Sequence, residues 1–305
     1  MKIGFVGVGR WAQKLATAFR ECGAEIVAYD RKLRPDGFCN FCKGKMRTYI
    51  GAECPACHKS SVAMGRTDFG EFKTWEAQLL DPSIDAIIAV ATPEVTTEVA
   101  LACAAAGKPV MATKPLFDHP ETIRAPFYAD FWRLWSLDYQ AARDVFRRAV
   151  MRDDQDDSRR FSINLFGSGP FRDFPGAFDY GPHVVAMFMD LIGPDGMALN
   201  KATRLSSVDG ETFDVEWVGH GDRLHFRACF GNGSPSASRS FGHPEHQVYE
   251  ESSHIGSEEK SVVLRRFCQS FLDDISEGFV DTRLLNLSRD GMRELRRIRE
   301  MAVGK

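Results

Sequence analysis

The chain has 305 residues, 44% apolar and 27% charged, with a net charge of −3. These are the proportions of a soluble globular protein long enough for two cored domains. No apolar run reaches the about 20 residues that cross a bilayer, which excludes a helical membrane protein. Met1 leads directly into a strand pattern without a leader-like stretch, so a cytoplasmic location is expected. There the eight cysteines are expected as thiols or metal ligands rather than disulfides.

Lys2 to Val6 is a short apolar run that enters Gly7-Val8-Gly9-Arg10-Trp11-Ala12. A helix is predicted from Trp11 to Cys22, and a second apolar run, Ile26 to Tyr29, ends at Asp30. Strand, glycine-rich turn, helix, strand and acid together form a dinucleotide-binding fingerprint. Gly7 permits the tight turn, Gly9 admits the pyrophosphate to the helix N-terminus, and Ala12 takes the third small position. Asp30 accepts from the adenosine ribose hydroxyls and favours NAD. Arg31 and Lys32 could bind a 2′-phosphate, which keeps NADP open. Arg10, Trp11, Asp30 and Arg31 therefore join the glycines as candidate cofactor residues.

From Arg31 to Arg66 the chain carries eight basic residues against two acidic ones, a local charge of +6. This foreign segment, spanning about 35–65, contains Cys39-Asn40-Phe41-Cys42 and Cys54-Pro55-Ala56-Cys57, with eleven residues between the pairs. Two such knuckles supply four thiolates to one tetrahedral ion, zinc before iron, with a redox dithiol pair as the minor alternative. A site closed by four cysteines is structural, and metal binding would fold the segment. Two readings of its basic side chains stand side by side: a contact for nucleic acid or another anionic partner, or a solvated cap.

Alternation then resumes. A short helix is predicted over Thr74–Leu80, closed by Asp81-Pro82, and a buried strand over Ile84–Val90 with Ala91-Thr92-Pro93 at its carboxyl end. Thr92 and Pro93 are candidate cofactor contacts. Glu98 to Ala106 reads as a helix stopped by Gly107, and Pro109–Ala112 as a strand leading to Thr113-Lys114-Pro115. The apolar residues Phe127, Phe131, Leu134, Trp135, Ala142, Val145 and Phe146 recur at helical spacing and predict one helix over 127–148. A charged link, Arg152 to Arg160, precedes strand patterns at 161–166, 212–218, 224–230 and near 247–250. Gly231 to Ser240 reads as a flexible loop, with His243, His246 and His254 around it as solvated side chains rather than a second metal site. Val262–Ile275 and Leu287–Ala302 are predicted amphipathic helices, the latter with an arginine-rich solvated face.

Asp179-Tyr180-Gly181-Pro182-His183 opens a further helical stretch. Four residues apart, Asp179 and His183 would share one face of a helix beginning near Asp179. His183 would then sit in its first turn, where the dipole disfavours the imidazolium and keeps the neutral form a general base needs.

Gly7 to Ala12, Leu80 to Pro93, and Ala106 to Leu116 with its Thr113-Lys114-Pro115, together resemble the glucose-fructose oxidoreductase / inositol dehydrogenase / MocA family. The 179–183 segment is similar to that family's D-x-G-x-H stretch. The resemblance covers nearly the whole chain outside about 35–65. It implies an α/β fold: an N-terminal Rossmann doubly wound parallel sheet, here carrying the four-cysteine zinc insert, and a C-terminal α+β domain with a large open sheet. The expected boundaries are 1–117 and 118–305. It also implies Lys114, Asp179 and His183 as catalytic residues, Lys114 as a cofactor contact as well, NAD or NADP as cofactor, and a homo-oligomer, dimer or tetramer. The expected activity is hydride transfer with a small polyol, sugar or related hydroxylated or keto substrate. The alternative is a non-catalytic dinucleotide-responsive protein that uses the zinc knuckle to contact nucleic acid or a protein. Departures from the family pattern are Thr113 before the lysine in place of glutamate, Ala186 in place of an acid with Asp190 a turn later, Gly176 alone before Asp179, and Thr96-Thr97 where a histidine is common.

Overall fold

The computed structural model describes residues 1–7, 9–29, 74–152, 161–169, 176–192, 197–207, 210–219, 224–232, 238–243, 246–252 and 257–304. The expectations for Asp30, Arg31, the basic segment with Cys39, Cys42, Cys54 and Cys57, and His254 lie outside the described residues. The chain divides into two compact units. The first is 1–130 with 261–285, and the second is 131–260 with 286–305. Among the described residues no helix is long and apolar enough to cross a membrane.

In the first unit, β1 (Lys2–Val6), β2 (Glu25–Tyr29), β3 (Ala86–Ala89), β4 (Val110–Ala112) and β5 (Phe127–Ala129) form a parallel sheet in the order β2-β1-β3-β4-β5. The described side chains of β3, β4 and β5 are buried throughout, as sequestration on both faces requires. Helices α1 (Arg10–Glu21), α2 (Trp75–Leu80) and α3 (Pro93–Ala106) connect them. Thr74 caps α2 by accepting from Ala77 N at 3.2 Å. Pro93 at the first position starts α3 five residues earlier than the sequence pattern suggested, and Gly107 at φ +67° ends it. Phe19 of α1 packs edge-on against Phe5 of β1 and against Phe271, which returns to this unit from the far end of the chain.

The single helix expected over 127–148 is replaced by three pieces. Phe127–Ala129 is the edge strand β5, Trp132–Trp135 is one 3-10 turn, and α4 begins at Leu137 and runs to Arg152. The spacing misled because Phe127 answers to strand pairing, with Val110↔Phe127 and Met111↔Tyr128, rather than to helical packing. A three-residue strand is too short to show its own period.

In the second unit, β6 (Phe161–Gly169), β7 (Met197–Ser207), β8 (Gly210–Gly219) and β9 (Leu224–Asn232) form a sheet ordered β6-β9-β8-β7, antiparallel except for β6 with β9. Phe213, Val215 and Trp217 alternate with Asp214, Glu216 and Val218, and Phe226, Ala228 and Phe230 with Arg227 and Cys229. The first set of each strand is buried, so one face of the sheet is core. α5 (Gly176–Asp179) and α6 (Gly181–Ile192) precede β7, and Phe188 of α6 stacks on Trp217 at 4.5 Å. β10 (Ser238–His243) and β11 (His246–Ser252) form a two-stranded ladder, so Gly231–Ser240 is not one loop: its ends belong to β9 and β10. α7 (Ser257–Glu277) and α8 (Arg283–Val303) complete the described chain.

Candidate active site

In the strand order 2-1-3-4-5 the crossover direction reverses between β1 and β3, and open α/β sheets bind ligands at the carboxyl ends flanking such a point. Gly7 leaves β1 there with φ +97°, and an added Cβ would lie 2.1 Å from the Val90 carbonyl oxygen. Both facts exclude any other residue. Gly9 is the N-cap of α1, and a Cβ added there would meet nothing within 4 Å. It has no side chain to cap the helix, and the first turn holds no acid. The described residues thus leave room beside Gly9, at the positive dipole end of α1, which suits an anionic phosphate. Ala12 is fully buried beneath this turn. The backbone present therefore fits a dinucleotide. Trp11, half-buried in the first turn, donates its indole N–H to the carboxylate of Asp130 at the end of β5.

The neighbouring strand ends carry Thr92, Pro93 and Lys114. Thr92 is the exposed N-cap of α3, and Thr96 N donates to its carbonyl at 2.8 Å. The buried Thr96 Oγ1 accepts from Ala91 N at 3.1 Å, and Thr97 Oγ1 accepts from Phe117 N at 3.1 Å. Thr113, standing where the resembling family has glutamate, donates to the Ala89 carbonyl with its N–H at 3.0 Å and its hydroxyl at 3.2 Å. Lys114 follows, half-buried, in a cis peptide with Pro115.

In the second unit, His183 is the third residue of α6. It is 8% exposed, with its ring centroid 6.1 Å from that of Phe131 in an edge-on arrangement. The expectation of one helix carrying Asp179 and His183 is corrected: α5 ends at Asp179, Tyr180 is a turn, and α6 starts at Gly181-Pro182. Proline near a helix start is favoured because its missing N–H needs no partner there. The i,i+4 argument for a shared face therefore does not apply to this pair, while the first-turn position of His183 stands. Gly181 is closely packed, since a Cβ would approach the side-chain atoms Leu295 Cδ2 to 2.7 Å and Phe230 Cε2 to 2.9 Å. Ala186 is fully buried, and Asp190 does not replace the acid missing there. Its carboxylate accepts from Tyr139 Oη at 2.9 Å and from Arg143 Nη1 at 3.4 Å, tying α6 to α4.

The structure thus gathers Gly7, Gly9, Trp11, Ala12, Thr92, Pro93 and Lys114 in the first unit, whereas Asp179 and His183 belong to the second. The side chains of Arg10 and Asp179 lie outside the described residues. Sequence reasoning missed Asp130. It closes the short apolar run Phe127–Ala129 just as Asp30 closes Ile26–Tyr29, and that repeat of strand then acid was the available signal. Among the described residues no cluster of His, Cys, Asp or Glu could hold a metal ion.

The sequence matches no protein-family model and no curated protein. The fold does have solved counterparts. Myo-inositol 2-dehydrogenase from Lactobacillus plantarum superposes with a TM-score of 0.72 at 14% identity, covering 100% of this chain and 98% of that one. Scyllo-inositol dehydrogenase from Lactobacillus casei, solved with NAD(H) and scyllo-inositol, gives 0.70 at 12% identity, covering 100% and 97%. An oxidoreductase from Agrobacterium radiobacter, in complex with NAD+, L-tartaric acid and magnesium, gives 0.68 at 14% identity, covering 100% and 97%. At these identities the likeness establishes a shared fold over the whole chain.

Proposed function

We propose that the chain is an NAD(P)-dependent oxidoreductase of the glucose-fructose oxidoreductase / inositol dehydrogenase / MocA family. It would act on a CH–OH or carbonyl carbon of a polyol, sugar or related hydroxylated substrate. The observation that carries this reading is the Gly7–Gly9 turn: a positive-φ glycine against Val90 and an uncapped helix start at the switch point of the sheet. Two of the structural counterparts hold NAD and a polyhydroxylated small molecule.

The bound nicotinamide supplies the hydride acceptor or donor. The protein supplies geometry and proton handling. The α1 N-terminus takes the pyrophosphate, and Asp30 takes the ribose hydroxyls, with NAD preferred and NADP the alternative through Arg31 and Lys32. His183 takes the hydroxyl proton in oxidation and returns it in reduction. Lys114 holds the substrate oxygen and the nicotinamide in register and stabilises the developing negative charge on that oxygen. Asp179 orients His183 or a neighbouring hydroxyl. A cytoplasmic homo-oligomer, dimer or tetramer, with contacts through the open sheet completes the reading. Nothing observed favours the non-catalytic alternative.

Cys39, Cys42, Cys54 and Cys57 are proposed to hold one structural zinc. Among the described residues the other four cysteines, Cys22, Cys103, Cys229 and Cys268, join no cluster that could hold a metal ion. Burial pushes Cys103 up to about 12 and raises Cys268 well above the ordinary thiol value. Metal analysis should therefore find one zinc per chain, and chelation should expose four further thiols to titration. A metal-free protein with those thiols already reactive sinks the zinc site.

The test of the enzyme reading is fluorescence titration with NADH and NADPH, followed by turnover of a panel of polyols, sugars and hydroxy acids. NADH is expected to bind the more tightly. Failure of both nucleotides to bind ends the reading at its first step.

A further inference from the structure

Lys114 lies between two hydroxyl contacts made by residues with no assigned part in the chemistry. One residue before it, Thr113 donates both its backbone N–H and its hydroxyl to the Ala89 carbonyl at the end of β3. Three residues after it, Phe117 N donates to the hydroxyl of Thr97, which is buried on the second turn of α3. The short segment that presents Lys114 is therefore tied at one end to a strand and at the other to a helix. Each tie is a neutral side-chain oxygen. Thr96, one residue from Thr97, makes the same kind of bond to a different loop, at Ala91 N.

We propose that Thr97 and Thr113 are positioning residues for Lys114, a pair of hydroxyl clamps that fix the backbone from which its ammonium group reaches. This rests on the role given to Lys114 above. The physical need is plain. A lysine side chain is a long flexible stem with a point charge, so where the charge can go is decided by where its Cα is held. A displacement of about 1 Å at a reacting group costs on the order of 10²-fold in rate. A threonine hydroxyl suits the task because it can accept a backbone N–H, as Thr97 does, or donate to a carbonyl, as Thr113 does. Neither clamp adds a charge beside Lys114. The two positions also explain two departures from the resembling family pattern as one device, with threonine before the lysine and threonine on α3.

The test compares valine variants, which keep the shape and lose the hydroxyl, with serine variants, which keep the hydroxyl. The intact protein is reductively methylated with 13C-formaldehyde, and the dimethyl-lysine resonance of Lys114 is assigned by its loss in Lys114→Arg. Thr97→Val and Thr113→Val should shift that resonance and weaken NADH binding about 3–10-fold, the range expected for one lost hydrogen bond. Thr97→Ser and Thr113→Ser should restore both. Thr96→Val, which unties the other loop, should leave the Lys114 resonance in place. The proposal is overturned if folded valine variants leave the Lys114 resonance unmoved, or if serine does not rescue. It is equally overturned if Thr96→Val moves the resonance as far. Should neither valine variant fold, the hydroxyls hold the unit rather than Lys114, and the proposal fails. Wild-type protein that binds no NADH refutes the dinucleotide reading instead, and the resonance still decides the clamp.

Discussion

Gly7 and Gly181 are both glycines pressed against a neighbour, one in each unit, and the neighbours differ in kind. Gly7 meets the carbonyl of Val90, a residue whose own N–H donates to the Val6 carbonyl at 2.8 Å, and carries a positive φ as well. Gly181 meets the far ends of side chains, Leu295 Cδ2 and the ring of Phe230. The first unit makes its candidate site from backbone: a left-handed glycine, an open helix start, strand-end carbonyls and hydroxyls that hold loops. The second makes its part from packing: a buried helix on a sheet, with His183 edge-on to Phe131. A backbone site tolerates almost no change in a few residues, whereas a packed site spreads its demands over many.

The largest effects should come from removing the proposed chemistry of each unit in turn. His183→Asn should lower kcat/KM about 10²–10⁴-fold, the range for a lost general base, while the NADH Kd stays within about twofold. Lys114→Met should lower turnover comparably. If His183→Asn abolishes NADH binding, the division of labour between the units is wrong.

Next comes the glycine comparison itself. Gly7→Ala joins an unfavourable φ to a backbone clash and should cost about 3 kcal/mol or more, seen as a lowered Tm and lost NADH binding. Gly181→Ala asks only side chains to yield and should cost about 1–3 kcal/mol, the range for overpacking. Equal losses would erase the distinction. Gly9→Ala is the control, because its Cβ would enter open space. Its Tm should hardly move, while NADH affinity falls at least about tenfold if the pyrophosphate takes that space.

A smaller effect is expected at Asp130. Asp130→Asn puts an amide where the carboxyl group accepts the Trp11 N–H, a loss of about 1 kcal/mol. Trp11 emission and its quenching by NADH should both change. An unchanged spectrum would separate the Trp11–Asp130 bond from the cofactor turn.

The smallest is at the outer face of the second unit's sheet. Hydrogen bonds from Arg227 at 2.9 and 2.6 Å hold the Asp214 carboxyl below its ordinary value. Such a group stabilises the fold above the unfolded carboxylate pKa near 4, and the contribution is lost as pH falls through the lower folded value. Arg227 is exposed and Asp214 partly so, so Asp214→Asn should cost at most about 1 kcal/mol at pH 7, and the difference from wild type should shrink as the pH falls below the ordinary carboxylate range. A difference that widens in acid contradicts the assignment.

The first unit was the more legible in sequence because its requirements are local. A left-handed turn demands glycine, a helix start favours threonine and proline, and a strand buried on both faces shows as an unbroken apolar run. Gly7, Gly9, Thr92, Pro93 and Ile87–Ala89 announce themselves within a few residues of where they act. The same locality failed at Phe127–Ala129, where three residues form a strand only because β4 is there to pair with. It failed again at Asp179 and His183, where spacing suggested one helix and Tyr180 breaks it. β7 was missed because, among its described side chains, only Leu199 is buried, so no alternating pattern marks the strand.

By itself the sequence determined the α/β start and the glycine turn, since these follow from backbone sterics at single positions. Tertiary structure alone decided that residues 261–285 return to the first unit, that Asp130 meets Trp11 across 119 positions, and that hydroxyls of Thr97 and Thr113 bracket Lys114. Each of these is a contact between segments far apart in the chain. Such contacts are chosen by the packing of the whole unit, and no window of neighbouring residues encodes them.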